Sequence, residues 1–141
     1  MLRLVIDTDV LLSAFISPAG ASRQLVLDGL DGKFALLLST PLLVEYESVL
    51  LRPPHLTRAR ATEADVKVIL DALAGLCVPV VFDYKWRPTG AHADDELVVE
   101  TAINGHADAV ATFNLKDIRD AGAQFGFRAQ RPGPLVKRIR A

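Results

Sequence analysis

The sequence predicts an α/β fold: a central, mainly parallel sheet of four to five strands with helices packed on both of its faces. Three observations predict it. Short apolar runs alternate with stretches of helical periodicity along the whole chain, and strands separated by helices pair in parallel. The run "KFALLLS" (Lys33 to Ser39) is apolar without alternation, as in a strand covered on both faces. Turn and cap residues such as "SPAG" (Ser17 to Gly20) and Pro53-Pro54 punctuate the intervals between the runs.

Taken in order, the first strand covers about Leu2 to Ile6, and a helix follows from about Asp9 to Phe15. A second helix runs from about Ala21 to Leu30, with Gly32 beyond its end, and leads into the Lys33–Ser39 strand. "STPLLVEYESVLLRPP" reads as a helix: Ser39 or Thr40 caps it, Pro41 suits its first turn, and Pro53 and Pro54 stop it. Residues 55–61 read as a polar loop containing Arg58 and Arg60. Thr62-Glu63-Ala64-Asp65 resembles a capping box, and the helix it opens carries Val66, Ile69, Leu70 and Leu73 at helical spacing. "CVPVVF" (Cys77 to Phe82) is the third strand, and Pro79 inside it points to a sheet edge or an early end. After the loop "DYKWRPTGAHA", a helix spans about Asp94 to Asn104, and "DAVAT" (Asp108 to Thr112) is a short fourth strand. "NLKDIRDAG" is a turn with a short helix, "FGFRAQ" a last strand and "GPLVKRIRA" a closing helix.

The 141 residues suffice for a single domain, 1–141, with one core. Half of the residues are hydrophobic and 23 % are charged, which excludes a disordered chain. No apolar run reaches the roughly 18 residues of a membrane helix, and the start of the chain does not read as a signal peptide. Cys77 is the only cysteine, read as a small buried residue beside Val78; a reducing, cytoplasmic setting fits. The net charge of −1 gives no bulk attraction to nucleic acid. Arg119, Arg128, Arg131, Lys137, Arg138 and Arg140 nevertheless concentrate positive charge toward the end of the chain, as a solvated tail or as a phosphate-contacting surface.

In "LRLVIDTDVLLSAF", Asp7 and Asp9 interrupt a run that is otherwise core. A carboxylate between two core elements costs free energy unless a turn or a cation satisfies it. In parallel sheets the functional site lies beyond the carboxyl ends of the strands, where both Asp7 and Asn114 fall. Along "DDELVVETAIN", at 100° per residue, Val98, Val99 and Ala102 define an apolar arc. Asp95 projects into the middle of that arc, while Asp94, Glu96 and Glu100 lie off it. Dipole complementarity accounts for Asp94 and Glu96 in the first turn, whereas an acid aimed at the core face needs a partner. Glu45 and Glu47 both border the apolar face of their helix, and periodicity does not choose between them. Asn114 and Asp117 also suit an ordinary turn and helix cap. Converging carboxylates repel one another, and hard divalent cations relieve that repulsion. Such ions also generate hydroxide nucleophiles and clamp phosphodiesters for in-line displacement, so metal-dependent phosphodiester hydrolysis is the chemistry expected. His55, His92 and His106 fall in loops or at a helix end and are read as surface residues rather than ligands.

With these residues in hand, the chain resembles the PIN-domain ribonucleases, particularly the toxins of bacterial and archaeal toxin–antitoxin pairs (VapC-like). The likeness covers most of the chain. "VIDTDVLLSAF" is similar to the family's first strand and acid, "STPLLVEYESVL" to its second motif, "DDELVVETAINGHADAVAT" to its third and "TFNLKDI" to its fourth. The resemblance implies a PIN-like three-layer α/β/α sandwich, with Asp7, Glu45, Asp95 and Asp117 as catalytic acids. It implies Mg²⁺ or Mn²⁺ held by Asp7, Asp95 and Asp117, with Asp9, Thr112 and Asn114 supporting ligands or substrate. RNA would be the substrate, a cognate antitoxin would cover the acids, and the chain would form a homodimer with no membrane involvement. Two positions depart from the family pattern: Asp9 stands where Asn is usual, and Asn114 where many members have Asp. Two alternatives compete. Asp7-Thr8-Asp9-Val10 nearly fits the opening motif of a haloacid-dehalogenase-type phosphatase, though Leu11 takes its Thr/Val place and no later Lys motif is evident. A catalytically silent PIN-like RNA-binding module is the other. Trp86 is a candidate RNA-stacking or core-covering residue.

Overall fold

In the computed structural model, which describes residues 1–83 and 95–141, strand β1 (Arg3–Ile6) occupies the centre of a five-stranded sheet. Helices α1 (Thr8–Ile16) and α2 (Ala21–Leu30) lead to β2 (Ala35–Ser39) on one side of it. Helices α3 (Thr40–Leu50), α4 (Pro53–Ala59) and α5 (Glu63–Leu76) then lead to β3 (Val78–Val80), outside β2. The chain returns through α6 (Glu96–Asn104) to β4 (Ala109–Ala111) on the other side of β1, and α7 (Leu115–Phe125), β5 (Arg128–Gln130) and α8 (Pro132–Arg140) complete it. All four strand pairings are parallel, in the order β3-β2-β1-β4-β5. The direction of winding therefore reverses between β1 and β4, which opens a crevice at their carboxyl ends.

The fold is the three-layer α/β/α sandwich that the sequence predicts. Leu4, Val5, Ile6, Leu36, Leu37, Leu38, Ala109, Val110 and Ala111 are all buried, as strands covered on both faces require. Pro79 lies in the edge strand β3, where its missing N–H breaks no ladder between two neighbours. The Thr62–Asp65 capping box forms with both reciprocal hydrogen bonds, at 2.9 and 3.2 Å. Among the described residues no single helix is long and apolar enough to cross a membrane.

Four sequence readings need correction. Residues 55–61 are not a loop: the prolines that stop α3 occupy the first turn of α4, which ends with Arg60 in the left-handed region. Helix α7 is not short. It continues through Gly122 to Phe125 and ends at Gly126, whose φ is 86°. Gly122 resembles a helix stop in sequence, but a Cβ there would lie 2.3 Å from the Phe127 carbonyl oxygen. It is a packing glycine that lets β5 approach α7. Glu100, assigned by periodicity off the apolar arc, is only 1 % exposed. Helix α6 packs against β1, β2, β4, α3 and α7 at once, so its covered surface is wider than one arc. Cys77 is half-buried rather than buried. The 84–93 loop, with Trp86 and His92, and the acid Asp94 lie outside the described residues.

The basic segment divides. Arg140 reaches Asp28, whose side chain is 0 % exposed, through Nη2 at 3.0 Å, and Gln24 Nε2 donates to the same carboxylate at 2.9 Å. This ties α8 to α2. Arg119 and Arg128 instead line a groove between α7 and β5. Burial alone would push the Asp28 carboxyl up, but the hydrogen bonds from Arg140 and Gln24 and the charges of Arg140 and Lys33 outweigh it and hold the group below its usual range. Such a carboxylate stabilises the fold above its unfolded pKa, and that contribution is lost as pH falls through its lower folded pKa. Asp28→Ala is expected to lower the melting temperature by several degrees at pH 7 and to flatten its decline below pH 4. Parallel melting profiles for both proteins down to pH 2 would contradict this role.

Candidate active site

The chain leaves β1 at Ile6 and enters α1 one residue later. Asp7 is therefore fixed twice: its amide donates to the Ala111 carbonyl at 2.9 Å, extending the β1–β4 ladder, and its side chain caps α1 by accepting from Thr8 N at 2.7 Å. The second carboxylate oxygen accepts from the Thr112 hydroxyl at 2.7 Å. Thr112 follows β4, is fully buried, and in turn accepts from the amide of Asn114 at 2.9 Å. The Asn114 side-chain nitrogen donates to Asp95 Oδ2 and to Asp117 Oδ2, each at 3.1 Å. One chain of contacts thus runs from Asp7 through Thr112 and Asn114 to Asp95 and Asp117.

Glu45 enters from α3. The Thr8 hydroxyl donates to its Oε2 at 2.7 Å, which settles its orientation, whereas Glu47 is solvent-exposed. Tyr46 beside it is buried and donates its hydroxyl to the Ile6 carbonyl, pinning α3 to the end of β1. Asp9 sits in the first turn of α1 and accepts from the Phe113 amide at 3.1 Å. Its other oxygen, Oδ1, is buried with no hydrogen-bond partner. Asp7 is the cap of α1, and Asp9 holds the segment after β4.

These side chains line an open cleft of about 490 Å³, formed by Asp7, Thr8, Asp9, Glu45, Val49, Arg52, Asp95 and Asn114. Asp7 is 6 % and Asp95 7 % exposed. Burial, then the charge of Asp9 and, more weakly, that of Asp95, push the Asp7 carboxyl up to about 7 against the hydrogen bonds from Thr112 and Thr8. Burial likewise raises Asp9, against the amides of Phe113 and Val10. Two unit charges 4 Å apart in a medium of effective dielectric 20 repel by about 4 kcal/mol, so such a group of acids calls for a proton or a cation.

The residues fit a hard divalent ion. The donors are oxygens, one of them (Asp9 Oδ1) is buried with no hydrogen-bond partner, and burial with neighbouring negative charge pushes the Asp7 carboxyl up to about 7. Among the described residues no three carboxylates close into a complete ligand set, because Thr8, Thr112 and Asn114 stand between them. Mg²⁺ does not need such a set, since it commonly takes one or two carboxylates and keeps several waters.

A family model described as the PIN domain matches residues 3–116. The chain belongs to the PIN-domain family. Comparison with curated protein sequences finds no match. Among solved structures, the PIN domain is similar to a chain of VapBC2 from Rickettsia felis, a complex bound to a DNA fragment from its promoter. The TM-score is 0.58 at 14 % identity, over 92 % of this chain and 98 % of that one. At that identity the likeness is one of fold.

Within this PIN domain the cleft gathers five of the seven residues singled out in sequence: Asp7, Asp9, Glu45, Asp95 and Asn114. Thr112 lies behind Asp7, and Asp117 is joined to the cleft through Asn114. His55 bonds the Val49 carbonyl at 2.7 Å from α4, and His106 is exposed after α6; neither lines the cleft. Sequence reasoning missed Thr8 and Arg52. Thr8 has a signal in hindsight, as a hydroxyl placed directly after the strand-end acid. Arg52 precedes Pro53-Pro54, and only the turn between α3 and α4 that those prolines impose brings it to the cleft.

Proposed function

We propose that this PIN domain, a single unit over residues 1–141, is a metal-dependent endoribonuclease and the toxin of a toxin–antitoxin pair. The observation that carries the reading is the pair of buried acids, Asp7 and Asp95, brought from opposite sides of the winding reversal to one cleft and linked through Thr112 and Asn114. Asp7 and Asp95 would hold Mg²⁺ or Mn²⁺, with Asp9 and Glu45 toward the same cleft and Asp117 acting through Asn114. When bound, the ion supplies positive charge for the phosphate, activation of water and in-line alignment. The protein does the rest. Thr112 and Asn114 orient the two acids, Thr8 fixes Glu45, and Arg52 offers the phosphate a cation at the cleft wall. With its carboxyl pushed up to about 7, Asp7 would give up the proton it shares with solvent near neutrality when the site is loaded.

Family membership displaces the haloacid-dehalogenase-type reading. The VapBC2 likeness supports a toxin with a cognate antitoxin partner; we infer further that the antitoxin covers the acidic cleft and that the chain forms a homodimer. Such a system works in the cytoplasm. The direct test incubates the purified chain with single-stranded and structured RNA in Mg²⁺, Mn²⁺ or EDTA. Internal cleavage is expected with either ion and none with EDTA. Failure to cleave either RNA with both ions would favour the silent RNA-binding module.

A further inference from the structure

We propose that Phe113, the residue before the cleft-lining Asn114, is a stacking platform for an unpaired RNA base beside the cleft; the proposal rests on the ribonuclease reading and names the form of RNA that the site takes. Phe113 is 45 % exposed, and it is the one aromatic among the large exposed hydrophobic residues of the described chain. Single exposed apolar residues are ordinary on protein surfaces and need no explanation. Its position distinguishes this one. Phe113 stands between Thr112, which holds Asp7, and Asn114, which holds Asp95 and Asp117. Its own amide is held by Asp9, and the amides on either side are tied to the Gln130 carbonyl at 2.9 Å and to the Thr112 hydroxyl at 2.9 Å. The half-exposed ring is therefore carried by a backbone segment anchored at three successive amides, between the residues that hold the acids of the cleft.

The charge balance of the cleft supplies the second argument. Among the described residues, Asp7, Asp9, Glu45 and Asp95 line it against a single cation, Arg52. Even with one divalent ion bound against these acids, such a wall carries no net positive charge, so contacts that ignore charge add to a polyanion's affinity. Base–aromatic stacking is such a contact and tolerates any base, because each has a π-face. In an A-form duplex the bases are stacked inside and cannot lie on a protein ring, so the platform selects single-stranded or looped RNA over duplex.

The test compares wild type, Phe113→Ala and Phe113→Trp on a single-stranded oligonucleotide, on a duplex of the same sequence, and on oligonucleotides with one abasic position at a time. Phe113→Ala is expected to raise KM for the single strand roughly 5- to 100-fold, with the loss in KM rather than kcat, while Phe113→Trp restores wild-type behaviour. One abasic position should reproduce the loss in wild type and add nothing to it in Phe113→Ala. Binding of the same oligonucleotides to Asp95→Asn proteins with and without Phe113→Ala should show the same ratios without cleavage. Wild-type cleavage that Phe113→Ala leaves unchanged overturns the platform alone. So does a Phe113→Ala loss that is equal on every abasic oligonucleotide, which marks a structural prop for the loop. Absence of metal-dependent cleavage in wild type overturns the ribonuclease reading and the platform with it.

Discussion

Asp95→Asn is expected to abolish RNA cleavage, by at least about a hundredfold, while leaving the fold and its melting temperature nearly unchanged. The substitution keeps size and shape. Asp95 occupies the cap position of α6 but makes no capping hydrogen bond with its side chain, so the helix loses none. The carbonyl oxygen of the substituted side chain still accepts from the Asn114 amide, now at 3.1 Å from Asp95 Oδ2, so the Thr112–Asn114 connection survives. What disappears is one negative charge in a nearly solvent-free position, and that charge is what a divalent ion requires there. The measurement is initial cleavage rate in saturating Mg²⁺, with a thermal melt of each protein. Equal rates for wild type and Asp95→Asn would remove Asp95 from the site, whatever happens to the other acids. A stronger loss of fold than of rate would instead assign it a packing role.

The architecture was largely legible because its determinants are local. The unbroken apolar run before Ser39, the capping box at Thr62 and the edge-compatible Pro79 each report directly on one element. The first acid was legible for the same reason, since a carboxylate at the end of a buried strand has few uses. What stayed hidden depended on distance in the chain. Glu45 and Glu47 are equivalent by periodicity, and only the hydroxyl of Thr8, on another helix, separates them. Gly122 looks like a stop until the Phe127 carbonyl is seen against it. Glu100 looks exposed until the neighbouring strands and helices close around α6. The burial of Asp28 depends on a distant partner; Arg140 is 112 residues away. Arg52 was obscured because it reads as the tail of a helix that two prolines stop, although the same prolines begin a helix equally well.

The acids of the cleft are expected to make the metal-free protein less stable as pH rises, and Asp7 should carry most of that effect. Its carboxyl is raised to about 7 from an ordinary value of 3.8. Between those two values the folded chain binds a proton that the unfolded chain has lost, so stability declines across pH 4 to 7 and levels above it. The full effect is about 4 kcal/mol at its upper end. Asn at this position cannot ionise; its carbonyl oxygen still caps α1 by accepting from Thr8 N, and its amide nitrogen replaces Oδ2 and donates to the Thr112 hydroxyl oxygen, whose proton turns away. In EDTA at pH 8, Asp7→Asn should therefore melt higher than wild type by on the order of 10 °C, with the difference vanishing near pH 4. Mg²⁺ is expected to act in the opposite sense, raising the melting temperature of wild type by mass action and that of Asp7→Asn far less. Melting curves of both proteins from pH 4 to 8, with EDTA and with Mg²⁺, decide the matter. Curves that stay parallel throughout, or an equal response to Mg²⁺, would show that the burial of Asp7 is satisfied within the protein. Divergence in the expected direction would mean that stability is given up at the one residue where β1 meets the cleft, which is the trade a site makes when its charge is reserved for a ligand.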